Sequence, residues 1–152
     1  MKIEKLAVHD LYILTELFEY NNIEQMILEC THDIQNGIID IFVLYDKGVL
    51  IGELHVMYES DDENYAIRGR RAYMFAFRVR EDFQNKGYGT YLLKTVLSIL
   101  KENGYYEFTV GVEDDNIRAI HMYQALGFDE FILRKQEEYQ GDAYEYNLYL
   151  KR

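Results

Sequence analysis

The chain has 152 residues, 49% of them hydrophobic, which allows one domain with a sizeable core and excludes a disordered protein. Its formal net charge of −11 argues against general nucleic-acid binding and is compatible with electrostatic attraction of a cationic ligand. The single cysteine excludes an intramolecular disulfide. Because neither a signal-peptide core nor an apolar run of roughly 18 residues is present, we expect a cytoplasmic protein without membrane contact.

Two helices are predicted near the N-terminus. In residues 10–20, one helical face carries Leu11, Leu14, Leu17 and Phe18, and Asp10 stands at the N-cap position. In residues 22–34, the spacing of an amphipathic helix is followed by Ile23, Met26, Ile27, Cys30 and Ile34. Cys30 belongs to this stripe, so we interpret it as a core residue rather than a nucleophile.

A β-hairpin is predicted next, with strands at residues 38–45 and 49–58 joined by the turn Asp46-Lys47-Gly48. Alternation in the second strand predicts one face with Leu50, Leu54 and Val56, and another with Ile51, Glu53 and His55. A polar surface loop follows over residues 60–69.

The remaining elements alternate between strands and helices. Strands are predicted at residues 70–79, 105–112, 128–137 and 143–150, and helices at 88–103 and 116–125. The order strand, glycine loop, helix, strand implies a right-handed crossover with parallel pairing. No linker or internal repeat appears, so we expect a single domain over residues 1–152.

A glycine loop, Gln84-x-x-Gly87-x-Gly89, joins the strand at 70–79 to the helix at 88–103. Free backbone N–H groups and the positive end of a helix dipole make such a junction a site for an anion. The loop has neither the Gly-x-Gly-x-x-Gly pattern of dinucleotide-binding proteins nor the Gly-Lys-Ser/Thr ending of a P-loop. The loop therefore predicts an anion site, but its pattern does not identify the anion.

A second cluster lies on the helix at 116–125. Asn116, Ala119, Ile120 and Tyr123 fall on one face of that helix, and Leu126-Gly127-Phe128 follows it. Together the two clusters resemble the GNAT superfamily of acyl-CoA-dependent N-acyltransferases. Val79, Gln84, Gly87 and Gly89 match its loop pattern, and Asn116, Ala119, Tyr123, Gly127 and Phe128 match its later helix. Glu81 and Asn85 stand where the family often has proline and glycine.

The resemblance implies an α/β fold with a mixed, mostly antiparallel central sheet, a parallel splayed pair and flanking helices. It implies acetyl-CoA as co-substrate and no metal. The pyrophosphate would lie on the backbone of Gln84, Asn85, Lys86, Gly87, Tyr88, Gly89 and Thr90. The pantetheine arm would bind the main chain of Phe77, Arg78 and Val79, with a backbone N–H near Val79 as oxyanion hole, and Asn116, Ala119 and Tyr123 alongside.

The resemblance also implies a mechanism, in which an amine attacks the thioester directly in a ternary complex. Tyr123 is then the candidate general acid for the thiolate. Glu53, with His55 two residues along the same predicted face, is the first candidate for the base, and Glu113 is the second. The other histidines, His9, His32 and His121, are interpreted as structural or surface residues.

The sequence does not identify the acceptor of the acetyl group. The acidic balance favours a small cationic amine over the alternatives, which are an N-terminal or lysine amine of a protein, or an acyl-CoA-binding module without turnover. Nucleic acid is not an expected partner, and a homodimer is compatible with the sequence.

Overall fold

Seven strands form one sheet in the computed structural model, which describes residues 1–152. In chain order they are β1 (Lys2–Lys5), β2 (Ile39–Asp46), β3 (Val49–Met57), β4 (Arg71–Val79), β5 (Glu107–Val112), β6 (Glu130–Tyr139) and β7 (Asp142–Lys151). Their order across the sheet is β1-β2-β3-β4-β5-β7-β6. The helices are α1 (Ile23–Gln35), α2 (Tyr88–Glu102) and α3 (Ile117–Ala125), with 3-10 helices at Val8–Glu16 and Glu81–Phe83.

All neighbouring strands are antiparallel except β4 and β5, which α2 connects as a parallel pair. This confirms the predicted mixed, mostly antiparallel sheet with flanking helices. None of the helices is both long enough and apolar enough to cross a bilayer.

The parallel pair separates halfway along its length. β4 pairs with β5 only where Arg71–Met74 faces Glu107–Val110. Beyond Met74, β4 continues against β3 alone, while β5 continues against β7. The edge of residues 75–79 that faces β5 therefore has no strand partner.

A β-bulge interrupts β4 just beyond this point. His55 pairs with Phe75 and Glu53 pairs with Arg78, so two residues of β4 lie opposite one residue of β3. Ala76 takes up the extra residue with a left-handed φ of 47°. As a result Arg78 points toward Glu53, while its neighbours on either side pack into the opposite core.

The two faces of the sheet are covered differently. The α2–α3 face carries the larger core, in which Leu92, Leu93, Val96, Phe108, Val110 and Phe128 are buried. On the α1 face, the 3-10 helix Val8–Glu16 and α1 pack over β2 and β3. The loop before β4 covers the other side of the α1 face through Tyr65.

Two local predictions were wrong. The helix predicted at residues 10–20 is a 3-10 helix at Val8–Glu16, and the spacing of Leu11 and Leu14 is the three-residue period of that helix type. Leu50 was predicted to share a face with Leu54 and Val56, but it lies in the α1-face core. The register explains this, because Leu44 pairs with Gly52 and Tyr45 with Leu50, which leaves Ile51 as an extra residue in β3. The bulge this creates moves Ile51 to the α2–α3 face.

Candidate active site

The loop before α2 exposes the start of that helix as an anion site. Asn85 and Gly87 adopt left-handed φ values of 64° and 88°, which turn the chain sharply into the helix. No side chain caps α2, and its first turn carries no acidic residue. The first N–H groups of α2 and the positive end of its dipole are therefore free to bind an anion.

The side chains of this loop serve other purposes. Gln84 donates from Nε2 to the carbonyl oxygen of Val79 at 2.9 Å, which ties the loop to the end of β4. The Tyr88 hydroxyl donates to Asp46 at 3.1 Å. Asn85 and Lys86 are exposed, and the Lys86 ammonium lies 5.9 Å from the centre of the Phe83 ring. Gln84 and Tyr88 are thus engaged within the protein, while the side chains of Asn85 and Lys86 are exposed.

The start of α3 and its buried tyrosine lie on the same face of the sheet. Asn116 caps α3 by accepting from the Ala119 N–H at 3.2 Å. Tyr123 is buried with its ring edge against Phe128, and its hydroxyl bonds to no other protein group. Burial raises the pKa of Tyr123 well above its ordinary value of 10, so the phenol is protonated at neutral pH.

These parts fit an extended ligand with an anionic group. Phe77, Val79, Ala119 and Tyr123 all belong to or pack against the α2–α3 core. The unpaired edge of β4 offers main-chain groups to such a ligand, as a neighbouring strand would. The residues predicted to hold the pantetheine and the pyrophosphate thus meet at one end of β4.

On the α1 face, Glu53 is fully buried and its two oxygens differ. Oε1 lies 2.6 Å from His55 Nε2 and accepts from Arg78 Nη1 at 3.2 Å. Oε2 is buried with no hydrogen-bond partner. A buried, unpaired carboxylate oxygen is costly, and it is a natural acceptor for a ligand N–H group.

Sequence reasoning did not find the side chains that hold Arg78. Its guanidinium lies 3.8 Å from the centre of the Phe18 ring and donates to the Tyr20 hydroxyl at 3.3 Å. Burial and the charge of Glu53 raise the pKa of Tyr20 to about 12. Arg78 had been predicted only as a main-chain contact, and no local pattern indicates the bulge that turns its side chain toward Glu53.

Aromatic rings continue from Glu53 across β4. The Phe75 ring lies 5.3 Å from His55 and stacks on Tyr73 at 5.3 Å, and Tyr73 meets Tyr65 edge-on at 4.9 Å. We call the strip of the α1 face between Glu53 and Tyr65 the aromatic groove.

Contacts between distant segments close one end of the aromatic groove. Gln140, at the tip of the β6–β7 hairpin, accepts from the Asn21 N–H at 2.7 Å and donates to the Glu19 carbonyl oxygen at 3.1 Å. The rings of Tyr139 and Phe18 lie 5.9 Å apart beside this bridge. β6 is the edge strand of the sheet, whereas residues 18–21 follow the 3-10 helix that packs over β2 and β3. The Gln140 contacts therefore bridge the two halves of the sheet, across the end of β4.

The second base candidate occupies a separate place. Glu113 is exposed, in a cavity of about 320 Å³ lined also by Asp114, Asp115, Arg134, Ala143, Tyr144 and Glu145. It is not among the residues bonded to Glu53 or Arg78. Four carboxylates against one guanidinium make this cavity acidic.

The remaining candidates have simpler environments. Cys30 packs against the α1-face core, and burial raises the pKa of its thiol to about 11. His9, His32 and His121 are exposed. No group of three or more histidine, cysteine, aspartate or glutamate side chains is arranged to hold a metal ion.

Comparison with known proteins gives the family. The sequence profile described as the Acetyltransferase (GNAT) family matches residues 6–128. A 64-residue stretch is 34% identical to the ribosomal protein bS18-alanine N-acetyltransferase of Salmonella typhimurium. That stretch covers 42% of this chain and 43% of the relative, which is less than half of the relative's length.

Solved structures share the fold along nearly the whole chain. A mutant spermidine N-acetyltransferase from Vibrio cholerae has a TM-score of 0.76 at 16% identity, covering 99% of this chain and 94% of its own. The yncA protein of Salmonella typhimurium, solved with its cofactor acetyl-CoA, has a TM-score of 0.72 at 16% identity, covering 99% and 92%. With the profile match over most of its length, the chain belongs to the GNAT family of acetyltransferases.

Proposed function

We propose that the chain is an acetyl-CoA-dependent N-acetyltransferase whose acceptor is a primary amine of a small cationic molecule. One observation carries the proposal. β4 and β5 are unpaired beyond Met74, with an uncapped helix N-terminus on one face of the sheet and a buried carboxylate with an unpaired oxygen on the other. We infer that two ligands approach this unpaired segment from opposite faces.

The residues for acetyl-CoA lie on the α2–α3 face. The backbone N–H groups of residues 84–90 would hold its pyrophosphate, and the free edge of Phe77, Arg78 and Val79 its pantetheine arm. Bound there, acetyl-CoA supplies an activated acyl group as a thioester. The side-chain amide of Asn116, whose oxygen already caps α3, keeps its N–H groups free to donate to the arm.

Tyr123 is assigned as the general acid. Its side chain is buried, and its hydroxyl is protonated at neutral pH and bonds to no other protein group, so its proton is free for a leaving thiolate. Its position on the α2–α3 face, in the core that Phe77 and Val79 also contact, supports this role.

Glu53 is assigned as the group that receives the acceptor's proton. His55 and Arg78 both engage Oε1, so Oε2, which has no protein partner, is the oxygen proposed to receive the acceptor's proton. Arg78 and His55 are positioning residues in this scheme, since they contact the carboxylate rather than the acceptor. Glu113 stays the alternative base, in the acidic cavity beside the hairpin.

Two features support a small cationic acceptor. Carboxylates and aromatic rings line the aromatic groove and the neighbouring cavity, and both attract ammonium groups. The Gln140 bridge closes one end of the groove, which leaves less room for a protein chain. A protein acceptor is the second candidate, and the similarity to a ribosomal protein-alanine N-acetyltransferase favours it.

Calorimetric titration with acetyl-CoA, followed by thiol release over a panel of amines, tests the proposal. We expect acetyl-CoA to bind, and small diamines or amino sugars to release thiol faster than a peptide with an N-terminal alanine. Faster reaction of the peptide would replace the small acceptor by the protein acceptor. Binding without turnover on any amine would indicate a non-catalytic module, and failure to bind acetyl-CoA would overturn the proposal entirely.

A further inference from the structure

Three hydrogen-bonded side chains on the α1 face join two buried phenols to a partly exposed carboxylate. The hydroxyls of Tyr65 and Tyr146 lie 2.5 Å apart, and the Tyr146 hydroxyl lies 2.8 Å from Oε1 of Glu137. Both tyrosines are more than nine-tenths buried, whereas the side chain of Glu137 is 36% exposed. The three side chains therefore lead from the interior of the protein to solvent.

The hydrogen bonds in this series all point the same way. A carboxylate only accepts hydrogen bonds, so the single hydroxyl proton of Tyr146 is donated to Glu137. The proton between the two phenols must then belong to Tyr65, which donates to the Tyr146 oxygen. The Tyr65 oxygen accepts no hydrogen bond within the protein. The series thus begins at an oxygen that can accept and ends at a carboxylate.

The Tyr146 phenol is suited to pass a proton on without becoming an ion. Burial, and then its bonds to Tyr65 and Glu137, raise the pKa of Tyr146 far above its ordinary value of 10. At neutral pH it can therefore take up a proton only while it gives up its own. Tyr144 donates to Oε2 of Glu137 at 3.0 Å, and the Lys135 ammonium lies 3.5 Å from Oε1, so the carboxylate is held in place.

The two buried phenols lie at the point where β4 and β5 separate. The strands pair only as far as Met74 of β4. The Tyr65 ring meets Tyr73, the residue before Met74, edge-on at 4.9 Å. The Tyr146 ring packs on Gly111, just beyond the last paired residue of β5, so closely that an added Cβ would lie 2.8 Å from it. The phenols are thus beside the unpaired segment that the proposed function assigns to the pantetheine arm.

The proposed reaction must remove two protons from the acceptor nitrogen. A primary ammonium has three hydrogens on its nitrogen, and the amide product has one. Under the proposed function Glu53 receives the first proton, while Tyr123 gives a proton to the thiolate and regains one from solvent. The second proton of the nitrogen therefore has no assigned acceptor.

From these contacts we infer that Tyr65, Tyr146 and Glu137 form a proton relay that removes the second proton. As the amide forms, an N–H bond breaks and its electron pair stays on the nitrogen. The proton enters at the Tyr65 oxygen, Tyr65 passes its own proton to Tyr146, and Tyr146 passes its own to Glu137. The carboxylate becomes a carboxylic acid, which loses the proton to solvent. The inference rests on the proposed function, since it requires an amine acceptor.

Two amines of similar size separate a relay from a structural role. At neutral pH n-butylamine is an ammonium ion and must lose two protons. Trifluoroethylamine is largely neutral there, because its fluorines withdraw electron density, and it must lose only one. Glu53 alone is then sufficient for trifluoroethylamine, whereas n-butylamine also needs the relay. Thiol release at saturating acetyl-CoA gives kcat/KM for each amine.

Tyr146→Phe keeps the buried ring and breaks the relay. We expect kcat/KM to fall about 10-fold to 100-fold for n-butylamine and to change little for trifluoroethylamine. Glu137→Gln, which cannot take up the proton, should show the same selective loss. Tyr144→Phe also removes one hydroxyl bond to Glu137 but leaves the relay intact, so any loss should be small and equal for the two amines. Glu138→Gln, at an exposed position of β6, is the control for surface charge.

Thermal unfolding shows whether each variant is folded. Equal losses with both amines in folded Tyr146→Phe would overturn the relay, and so would unchanged rates with n-butylamine. Neither result would touch the proposed function, which needs only acetyl-CoA binding and transfer to an amine. Absence of thiol release by the wild-type protein with every amine would instead overturn the proposed function, and the relay with it.

Discussion

The two faces of the sheet bind their proposed ligands by different means. On the α2–α3 face the main chain provides the contacts, through the uncapped start of α2 and the free edge of β4. On the α1 face a side chain provides the proposed contact, through Glu53, which His55 and Arg78 hold in position. Main-chain recognition depends less on residue type, so on the proposed function we expect the loop to bind acetyl-CoA although Glu81 and Asn85 depart from the usual family residues. Recognition by side chains depends on residue type, so on the proposed function the side chains of the α1 face determine which acceptor binds.

The largest effect is expected at the side-chain site. Glu53→Gln removes the proton acceptor, and we expect kcat/KM for the amine to fall about 100-fold to 1,000-fold while acetyl-CoA affinity is unchanged. Thiol-release kinetics measure kcat/KM, and calorimetry measures the affinity for acetyl-CoA. Glu138→Gln, at an exposed position of β6, is the control. Loss of cofactor affinity in a folded Glu53→Gln protein would break the division between the faces.

Tyr123→Phe tests the general acid that the proposal assigns on the α2–α3 face. Its hydroxyl makes no bond within the protein, so the variant should unfold at nearly the same temperature. We expect kcat to fall by about 10-fold to 100-fold because the thiolate loses its acid. Full activity in this variant would show that the general acid has been assigned wrongly.

Gly111→Ala tests packing beneath the aromatic groove. An added Cβ would lie 2.8 Å from Cδ2 of Tyr146, a buried ring whose hydroxyl is fixed by Tyr65 and Glu137. We expect a loss of about 1–3 kcal/mol in the free energy of unfolding, measured by urea titration. The control is Gly89→Ala, whose Cβ would make only ordinary contacts of 3.4 Å or more. Equal losses in both would contradict the packing argument.

Gln84→Ala should have a smaller effect, because this side chain only braces the loop. Losing its bond to the Val79 carbonyl costs about 1 kcal/mol, so acetyl-CoA affinity should weaken by about fivefold. Calorimetric titration measures this, with the exposed Lys86→Ala as a comparison. A loss as large as that expected for Glu53→Gln would show that loop side chains, and not only its backbone, hold the cofactor.

The smallest effect concerns alkaline pH. In the folded protein the pKa of Tyr20 and that of Tyr144 are both raised to about 12, in each case chiefly by burial. A raised folded pKa contributes stability below the unfolded value of about 10, and this stability is lost between pH 10 and 12. We expect the free energy of unfolding to fall across that window and to fall less steeply in Tyr144→Phe. Tyr12→Phe, at an exposed position, is the control and should keep the slope of the wild-type protein. If Tyr12→Phe reduced the slope as much as Tyr144→Phe, burial would not be the cause.

Sequence patterns predicted the parts of the molecule that depend on local chemistry. The helices α1, α2 and α3 and the parallel pair follow from apolar spacing, glycine ends and the crossover rule. The glycine loop and the Asn116–Tyr123 face were predicted from residues that lie within one element each. These predictions needed no knowledge of which distant segments meet.

The acceptor side could not be predicted in the same way. The bulges at Ile51 and Ala76 shift the alternation of β3 and β4, and neither residue type indicates a bulge. Phe18 and Gln140 come from segments far apart in the chain that meet only when the sheet is complete.

The separation of β4 from β5 beyond Met74 also bears on the order of events in the proposed reaction. On the proposed function, the cofactor would enter beside α2 and the amine from the α1 face, so their routes would not overlap. Neither ligand then has to arrive first for steric reasons, and each can form a binary complex. After transfer, CoA and the acetylated amine can depart on opposite sides of the sheet, so neither has to wait for the other to leave.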